Sequence, residues 1–216
     1  MKPITQLILI LLLTFTVAPV YAGDVDDLLE EADELKRRVI EAQRKSHFSN
    51  KPITVEDKNR FEELEKLANL GDAEAQREFG LMHYKGLGTV RGEQKAIKWF
   101  KLSISNGNAL AARQLYEVYS RGYGVAEDYT ESKKWLKLSA EMGDVTGQGI
   151  LGGKYFLGRR GFVEDLVLSH MWFNISVANG SSGTYYKTMV EEYLTPDQLA
   201  EAQKLAREWM EEHGKE

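Results

Sequence analysis

Two consecutive stretches decide the fold of this chain: residues 71–106, "GDAEAQREFGLMHYKGLGTVRGEQKAIKWFKLSISN", and residues 107–142, "GNALAARQLYEVYSRGYGVAEDYTESKKWLKLSAEM". They align without a gap at a period of 36 residues, which places Trp99 against Trp135. Self-similarity at a fixed period of this length is the signature of a repeat protein. The chain is therefore predicted to be an array of similar units.

A third unit follows at residues 143–179, "GDVTGQGILGGKYFLGRRGFVEDLVLSHMWFNISVAN", with one extra residue near Arg159 and Arg160. In each unit, residues four positions apart share one face of a first helix, and two glycines follow where that helix ends. A second helix comes next, and the tryptophan in its middle is expected to be the main buried side chain of the unit. Each unit is thus predicted to be a helical hairpin.

The glycines of the third unit, together with Lys154, could suggest a phosphate-binding loop. The Gly-x-x-x-x-Gly-Lys-Ser/Thr pattern, however, needs glycine at position 148 and serine or threonine at position 155. The chain has Gln148 and Tyr155 there, which excludes this motif. The glycines are instead interpreted as points of close helix approach or as turn residues, at Gly147, Gly152, Gly158 and Gly161.

The pattern A-x-x-x-[FL]-[GY]-x-x-[HY]-x-x-G-x-G, followed by D-x-x-x-[AS]-x-x-W, resembles the Sel1-like repeat family, a branch of the tetratricopeptide-like arrays. The resemblance implies an all-α fold, a right-handed superhelical array (α-solenoid) of helix-turn-helix repeats. Thr195 and Gln198 are predicted to cap the last helix. The expected segments are a capping N-terminal helical segment at 23–70, repeats at 71–107, 108–143 and 144–180, and C-terminal capping helices at 181–216.

The resemblance also implies a function. Members of the family assemble or regulate complexes, so the chain is expected to be a non-enzymatic adaptor or regulator in the bacterial cell envelope, with a protein or peptide partner. Two alternatives stay open. One is β-lactam binding or hydrolysis, which is associated with a cysteine-rich branch, although this chain has no cysteine. The other is a self-associating structural protein, with a weak dimer through Leu28, Leu35 and Val39 of a predicted amphipathic helix at 23–46.

Residues 1–22 are predicted to be a signal peptide. Lys2 supplies a positive charge, residues 7–17 form an apolar run, and a small-x-small cleavage pattern ends at Ala22. An uncleaved anchor is the competing interpretation, but the run is shorter than the roughly 20 residues that a membrane span needs. Cleavage after Ala22 would give a periplasmic or secreted protein with no stable membrane insertion.

No motif in the sequence predicts catalysis, a metal ion or a cofactor. The histidines show no metal-ligand spacing, and no Gly-x-Ser-x-Gly elbow occurs. His83 is expected to be packed in a helix, and His170 is expected to lie at the surface or to be half-buried. The formal net charge is −5, and no basic patch of the kind that binds nucleic acid is visible.

A binding surface is predicted on the concave face, which the first helices line in arrays of this type. The positions opposite the buried arc are Glu74, Arg77, Leu81, Lys85, Leu110, Arg113, Glu117 and Arg121, with Thr146, Gly149, Gly153 and Leu157 in unit three. Arg77 and Arg113 are expected to be exposed and to attract a segment with acidic and apolar residues. A solvated face without a partner is the alternative.

Overall fold

The computed structural model describes residues 53–122 and 124–213, and within these ranges it contains nine α-helices and no β-strand. The predicted signal peptide and the 23–46 helix, with Leu28, Leu35 and Val39, lie outside the described residues. The helices are α1 Val55–Asn69, α2 Ala73–Lys85, α3 Glu93–Ser105, α4 Ala109–Arg121, α5 Tyr129–Glu141, α6 Val145–Leu157, α7 Leu166–Ala178, α8 Thr184–Glu191 and α9 Pro196–His213.

The helices pack as a linear array. The pairs α2/α3, α4/α5 and α6/α7 are the hairpins of units one, two and three, and α3 contacts α4 as α5 contacts α6. Helix α1 covers unit one, while α8 and α9 both pack on α7. Because each hairpin contacts its sequence neighbours, the protein is an all-α solenoid, as the repeat pattern predicts.

Repeated caps define where the first helices begin and end. Each begins after a short polar residue whose side chain accepts a hydrogen bond from a backbone N–H group of the first turn. These residues are Asp72, Asn108 and Asp144. Each ends at a glycine with positive φ, namely Gly86, Gly122 and Gly158. A side chain is disfavoured in this left-handed conformation, so the glycine spacing of the sequence sets the length of the first helices.

The second helices are capped unequally. Asp128 accepts hydrogen bonds from the N–H groups of Thr130 and Glu131, both at 2.9 Å, and Asp165 accepts from Leu168 at 2.8 Å. The side chain of Glu131 forms an ion pair with Lys134. Helix α3 begins after Gly92 without any side-chain cap, because glycine has no side chain to accept a hydrogen bond.

Close contacts between the first and second helices set the geometry of units one and three. A Cβ atom on Gly80 would lie 2.8 Å from the ring of Phe100, and one on Gly152 would lie 3.0 Å from the ring of Phe173. These distances are shorter than ordinary carbon contacts of about 3.5–4.0 Å. The phenylalanine ring therefore occupies the space that a side chain on the first helix would need.

In unit two the aromatic side chain is on the first helix and the smaller side chain is on the second. Tyr116 stands at the glycine position of the first helix, and Leu136 stands at the phenylalanine position of the second. Leu136 is fully buried, and Tyr116 packs against the core cluster that contains it. The aromatic residue of unit two at these positions is therefore on the first helix instead of the second.

The repeated tryptophans are less buried than the sequence analysis expects. Trp99 and Trp135 are half-buried, while Phe100 and Leu136, which directly follow them, are fully buried. Trp172 is buried because α9 covers it, with the ring of Trp209 at 5.5 Å. In units one and two the residue directly after the tryptophan is therefore more completely buried than the tryptophan itself.

Side-chain amides join the repeats at their ends. The Gln76 side chain donates to the Ala68 carbonyl at 3.0 Å and accepts from Asn106 at 2.8 Å. In unit three, Gln148 donates to the Ala140 carbonyl at 3.2 Å and accepts from Asn179 at 3.1 Å. Each glutamine is buried, so it satisfies carbonyl groups that the end of the preceding helix leaves without an intrahelical partner.

The C-terminal helices close the array. Ala202 and Ala206 of α9 are fully buried, and Thr195 and Gln198 form the predicted capping box, with Thr195 N–H donating to Gln198 at 3.0 Å.

His170 is fully buried on α7, which corrects the expectation of a surface or half-buried site. Its Nε2 lies 2.9 Å from Glu191 of α8 and lowers the pKa of that carboxyl group by hydrogen bonding.

The contact in unit one can be tested by a double-mutant cycle. Gly80→Ala should reduce the free energy of unfolding by about 1–3 kcal/mol, because the added methyl group displaces the ring of Phe100. In the Phe100→Leu background the methyl group has room, so the same change should cost less. The free energies of unfolding of the wild type, the two single variants and the double variant are measured by urea unfolding. Gly149→Ala is the control, because a Cβ atom fits there; equal effects of Gly80→Ala in both backgrounds would contradict this account.

Candidate binding groove on the first helices

The predicted surface residues lie on the inner face, the surface formed by the first helices α2, α4 and α6. Glu74, Lys85, Leu110 and Arg121 are exposed on it, whereas Leu81 and Glu117 are half-buried. The two arginines differ from the expectation. The side chains of Arg77 and Arg113 are only 13% and 21% exposed, so the expectation that both arginines are exposed is wrong.

Arg77 is neutralised within unit one. Its Nε donates to a carboxylate oxygen of Glu74 at 3.0 Å, and its guanidinium group also pairs with Glu78. The hydrogen bond from Arg77 is the largest influence lowering the pKa of Glu74, and the same bond raises the pKa of Arg77. Asn108 also donates to Glu74, at 2.8 Å, which connects units one and two.

Arg113 connects units two and three through a hydrogen-bonded ion pair. Its Nε donates to Asp144 at 2.6 Å, and only 3% of the Asp144 side chain is exposed. Asp144 also accepts from the hydroxyl of Ser139 at 2.8 Å and from the N–H of Thr146 at 3.2 Å. The carboxylate that caps α6 is therefore held by Arg113, which gives this arginine a structural role.

A hollow of about 790 Å³ opens on the inner face of unit three, and we call it the unit-three groove. Helix α6 contributes the four positions that the repeat alignment predicts for this face, Thr146, Gly149, Gly153 and Leu157, together with Ile150 and Phe156. The other walls come from Phe173 of α7, from Ser181 and Ser182 in the connection, and from Tyr186 and Met189 of α8. A volume of this size lies within the usual range of ligand pockets, about 300–1,000 Å³.

The groove is apolar and aromatic. Among the described residues no carboxylate, lysine, arginine or histidine lines it, and its polar side chains are the hydroxyl groups at the start of α6, in the α7–α8 connection and on Tyr186. Phe173 stacks on Tyr186 with ring centroids 5.7 Å apart, and Phe156 contacts Tyr193 at 5.9 Å. Tyr185, Tyr186 and Tyr193 are all exposed beside it. Exposed aromatic side chains around an apolar hollow are typical of binding surfaces.

The glycines of α6 fall into two groups. A Cβ atom on Gly147 would lie 2.7 Å from the hydroxyl oxygen of Ser139, and Gly152 meets Phe173, so packing requires both. A Cβ atom on Gly149 would lie 3.4 Å from its nearest neighbour and one on Gly153 would lie 3.9 Å away, which are ordinary contacts. Glycine inside a helix costs about 1 kcal/mol relative to alanine, and packing does not explain that cost at these two positions.

The surface predicted from the sequence lies mainly on units one and two and includes no residue of α8. The structure brings Gly149 and Gly153 together with Phe173, Ser181 and Tyr186, which lie 20 or more residues away along the chain. Two signals were present in the sequence. They were the additional glycines of α6 and the adjacent tyrosines at 185 and 186.

The described residues contain no group of three or more histidine, cysteine, aspartate or glutamate side chains that could hold a metal ion. His83 is buried between Phe61 and Phe79, as the sequence predicts, and burial lowers its pKa. Among the same residues, none of the helices combines the length and the apolar character that crossing a membrane requires.

The role of Arg113 yields a stability prediction. Arg113→Glu should lower the free energy of unfolding by roughly 3 kcal/mol, because it places a second carboxylate against the buried Asp144. Lys85→Glu is the control, since Lys85 is exposed on the same inner face and surface charge changes usually have effects within about 0.5 kcal/mol. Urea unfolding followed by circular dichroism compares the two, and equal midpoints would contradict the connecting role of Arg113.

Comparison with known proteins agrees with this architecture. A family model described as Sel1 repeat matches residues 73–108 and 109–144. The crystal structure of c5321, a protective antigen of uropathogenic Escherichia coli strains displaying an SLR fold, is 30% identical, with a TM-score of 0.62 over 71% of this chain and 33% of that chain. A Sel1 repeat protein from Oxalobacter formigenes is 29% identical, with a TM-score of 0.53 over 60% of this chain and 96% of that chain. No curated protein matches the chain.

The match to the Escherichia coli antigen covers about a third of that protein. The Oxalobacter formigenes protein is matched over almost its whole length. Two matched repeats and the shared helical architecture therefore identify this chain as a Sel1-repeat protein with an α-solenoid fold.

Proposed function

We propose that the protein is a non-enzymatic interaction module that holds an apolar segment of a partner protein in the unit-three groove. The observation that carries this proposal is the groove itself, an aromatic hollow on the face that helical arrays use for binding. Its walls carry no acid, histidine or basic side chain that could perform proton transfer, which favours binding over catalysis. Sel1 repeats are generally protein-interaction modules, which supports the same conclusion.

Gly149 and Gly153 support a binding role for the groove. Alanine would fit at both positions and would stabilise the helix, yet the chain has glycine. The consequence of glycine is an open floor, because each missing methyl group enlarges the space between α6, Phe173 and Tyr186. A locally less stable helix with an open floor is a common compromise in a binding site.

The inner face of units one and two would extend the contact with the partner. Leu110 is exposed there, while Arg77 and Arg113 are paired with carboxylates of this chain. The eight residues predicted from the sequence are therefore proposed as a flanking surface, with the apolar groove as the anchor. This arrangement follows the general division of interfaces into a buried apolar centre and a polar rim.

The groove proposal is tested by filling the hollow. Gly153→Leu should abolish capture of partner proteins from an envelope extract, because the added side chain occupies the floor. Gly153→Ala should retain capture and should raise the free energy of unfolding by up to about 1 kcal/mol. Lys98→Leu, at an exposed position of α3, controls for a new surface leucine. The measurement is quantitative mass spectrometry of proteins retained on each immobilised variant; an unchanged set with Gly153→Leu would refute the groove.

We also propose that the protein acts as an adaptor or regulator in the bacterial cell envelope after export. This part rests on Lys2, the apolar run at 7–17 and the cleavage pattern that ends at Ala22. Expression of the full chain in a bacterium should yield a mature protein that begins at Gly23 in the periplasmic or extracellular fraction. Mass spectrometry of the intact protein measures this, and recovery of Met1 in the membrane fraction would contradict it.

A further inference from the structure

Lys154 borders the unit-three groove without lining it. It follows Ile150 by four residues on α6, and side chains at this spacing are neighbours on a helix surface. Ile150 itself lines the groove. The ammonium group of Lys154 lies over the ring of Tyr116, 5.7 Å from its centroid, on the side of unit two.

The charge of Lys154 has no carboxylate partner in the described part of the chain, where its contact is the Tyr116 ring. The side chain is half-buried, and burial is the main cause that lowers its pKa, followed by the positive charge of Arg160. A cation in this position is more costly to hold than an exposed one. An anionic group that arrives beside it would remove part of that cost.

Arg77 and Arg113 differ from Lys154 because both form ion pairs within the chain. Both face carboxylates of this chain, so an acidic partner gains little from them. The sequence predicts that these two arginines attract an acidic and apolar segment. Lys154, four residues after the groove residue Ile150, forms no such ion pair within the described residues.

We propose that Lys154 pairs with a carboxylate of the partner segment whose apolar side chain fills the unit-three groove. This inference rests on the proposed function, since it concerns the same groove. The partner is a protein because the exposed Tyr185, Tyr186 and Tyr193 stand beside the hollow and Leu110 continues the surface on unit two. Tyrosine-rich surfaces of this kind are typical of protein interfaces.

Two dyes with similar aromatic bodies test the charge. 1-Anilinonaphthalene-8-sulfonate is anionic and N-phenyl-1-naphthylamine is neutral. Fluorescence titration of the folded full-length mature protein should show that Lys154→Gln weakens binding of the anionic dye about tenfold and leaves the neutral dye unchanged, because a charge-assisted contact is lost. Lys154→Arg should restore binding of the anionic dye. Lys133→Gln is the matched control, since Lys133 also lies over a ring, that of Phe162, on α5 outside the groove.

The outcomes separate the two proposals. If Gly153→Leu leaves binding of both dyes intact, the groove is not the binding site and the proposed function fails with it. If Gly153→Leu abolishes binding of both dyes but Lys154→Gln weakens their binding equally or not at all, the groove is confirmed as the binding site and the role of Lys154 is refuted. Circular dichroism confirms that each variant is folded.

Displacement of the anionic dye then tests the class of partner. The peptide Ac-Ala-Leu-Phe-Asp-Ala-NH2 should displace the dye from the wild-type protein at a severalfold lower concentration than the same peptide with Asn in place of Asp. Lys154→Gln should abolish the difference between the two peptides. Displacement by dodecanoate but by neither peptide would overturn the assignment to a protein partner and would indicate a lipid instead.

Discussion

The contact between the first and second helix of each unit is the constraint on which the rest of this array depends. A hairpin of two helices of 13 residues cannot enclose a core alone, so it has to bring its helices close together and bury its outer surfaces against neighbouring hairpins. Units one and three achieve the close approach with Gly80 against Phe100 and Gly152 against Phe173. Unit two has Tyr116 on the first helix and the fully buried Leu136 on the second at the same positions, so its aromatic residue comes from the other helix.

Connections between units follow from where the first helices start. Asn108 and Asp144 each cap the next helix and also contact the preceding unit, through Glu74 and Arg113. A buried carboxylate such as Asp144 is stable only when it is hydrogen-bonded and paired, which makes Arg113 part of the folded structure. Charged side chains that a repeat alignment assigns to an open surface can therefore instead connect neighbouring units, as Arg113 does.

The groove lies where the regular array ends. After unit three, the position of a fourth first helix is taken by α8, which has eight residues instead of 13 and starts at Gly183 without a side-chain cap. Helix α8 is held to α7 by the contact between His170 and Glu191 and by stacking of Tyr186 on Phe173. The groove lies between α6, α7 and α8, and the absence of side chains at Gly149 and Gly153 leaves its floor open.

The sequence by itself determined the repeat period, the hairpin character of each unit, the glycine ends of the first helices and the family. These properties are local, because caps, positive-φ positions and helical periodicity act over a few residues and recur at the same spacing. It also predicted which positions of α6 face inward, among them Gly149 and Gly153. Only the tertiary structure decided that Arg113 is paired with Asp144, that the tryptophans of units one and two are half-buried, and that Phe173, Ser181 and Tyr186 complete a groove. Those features depend on the distance between residues far apart in the chain, and a repeat pattern contains no measure of that distance.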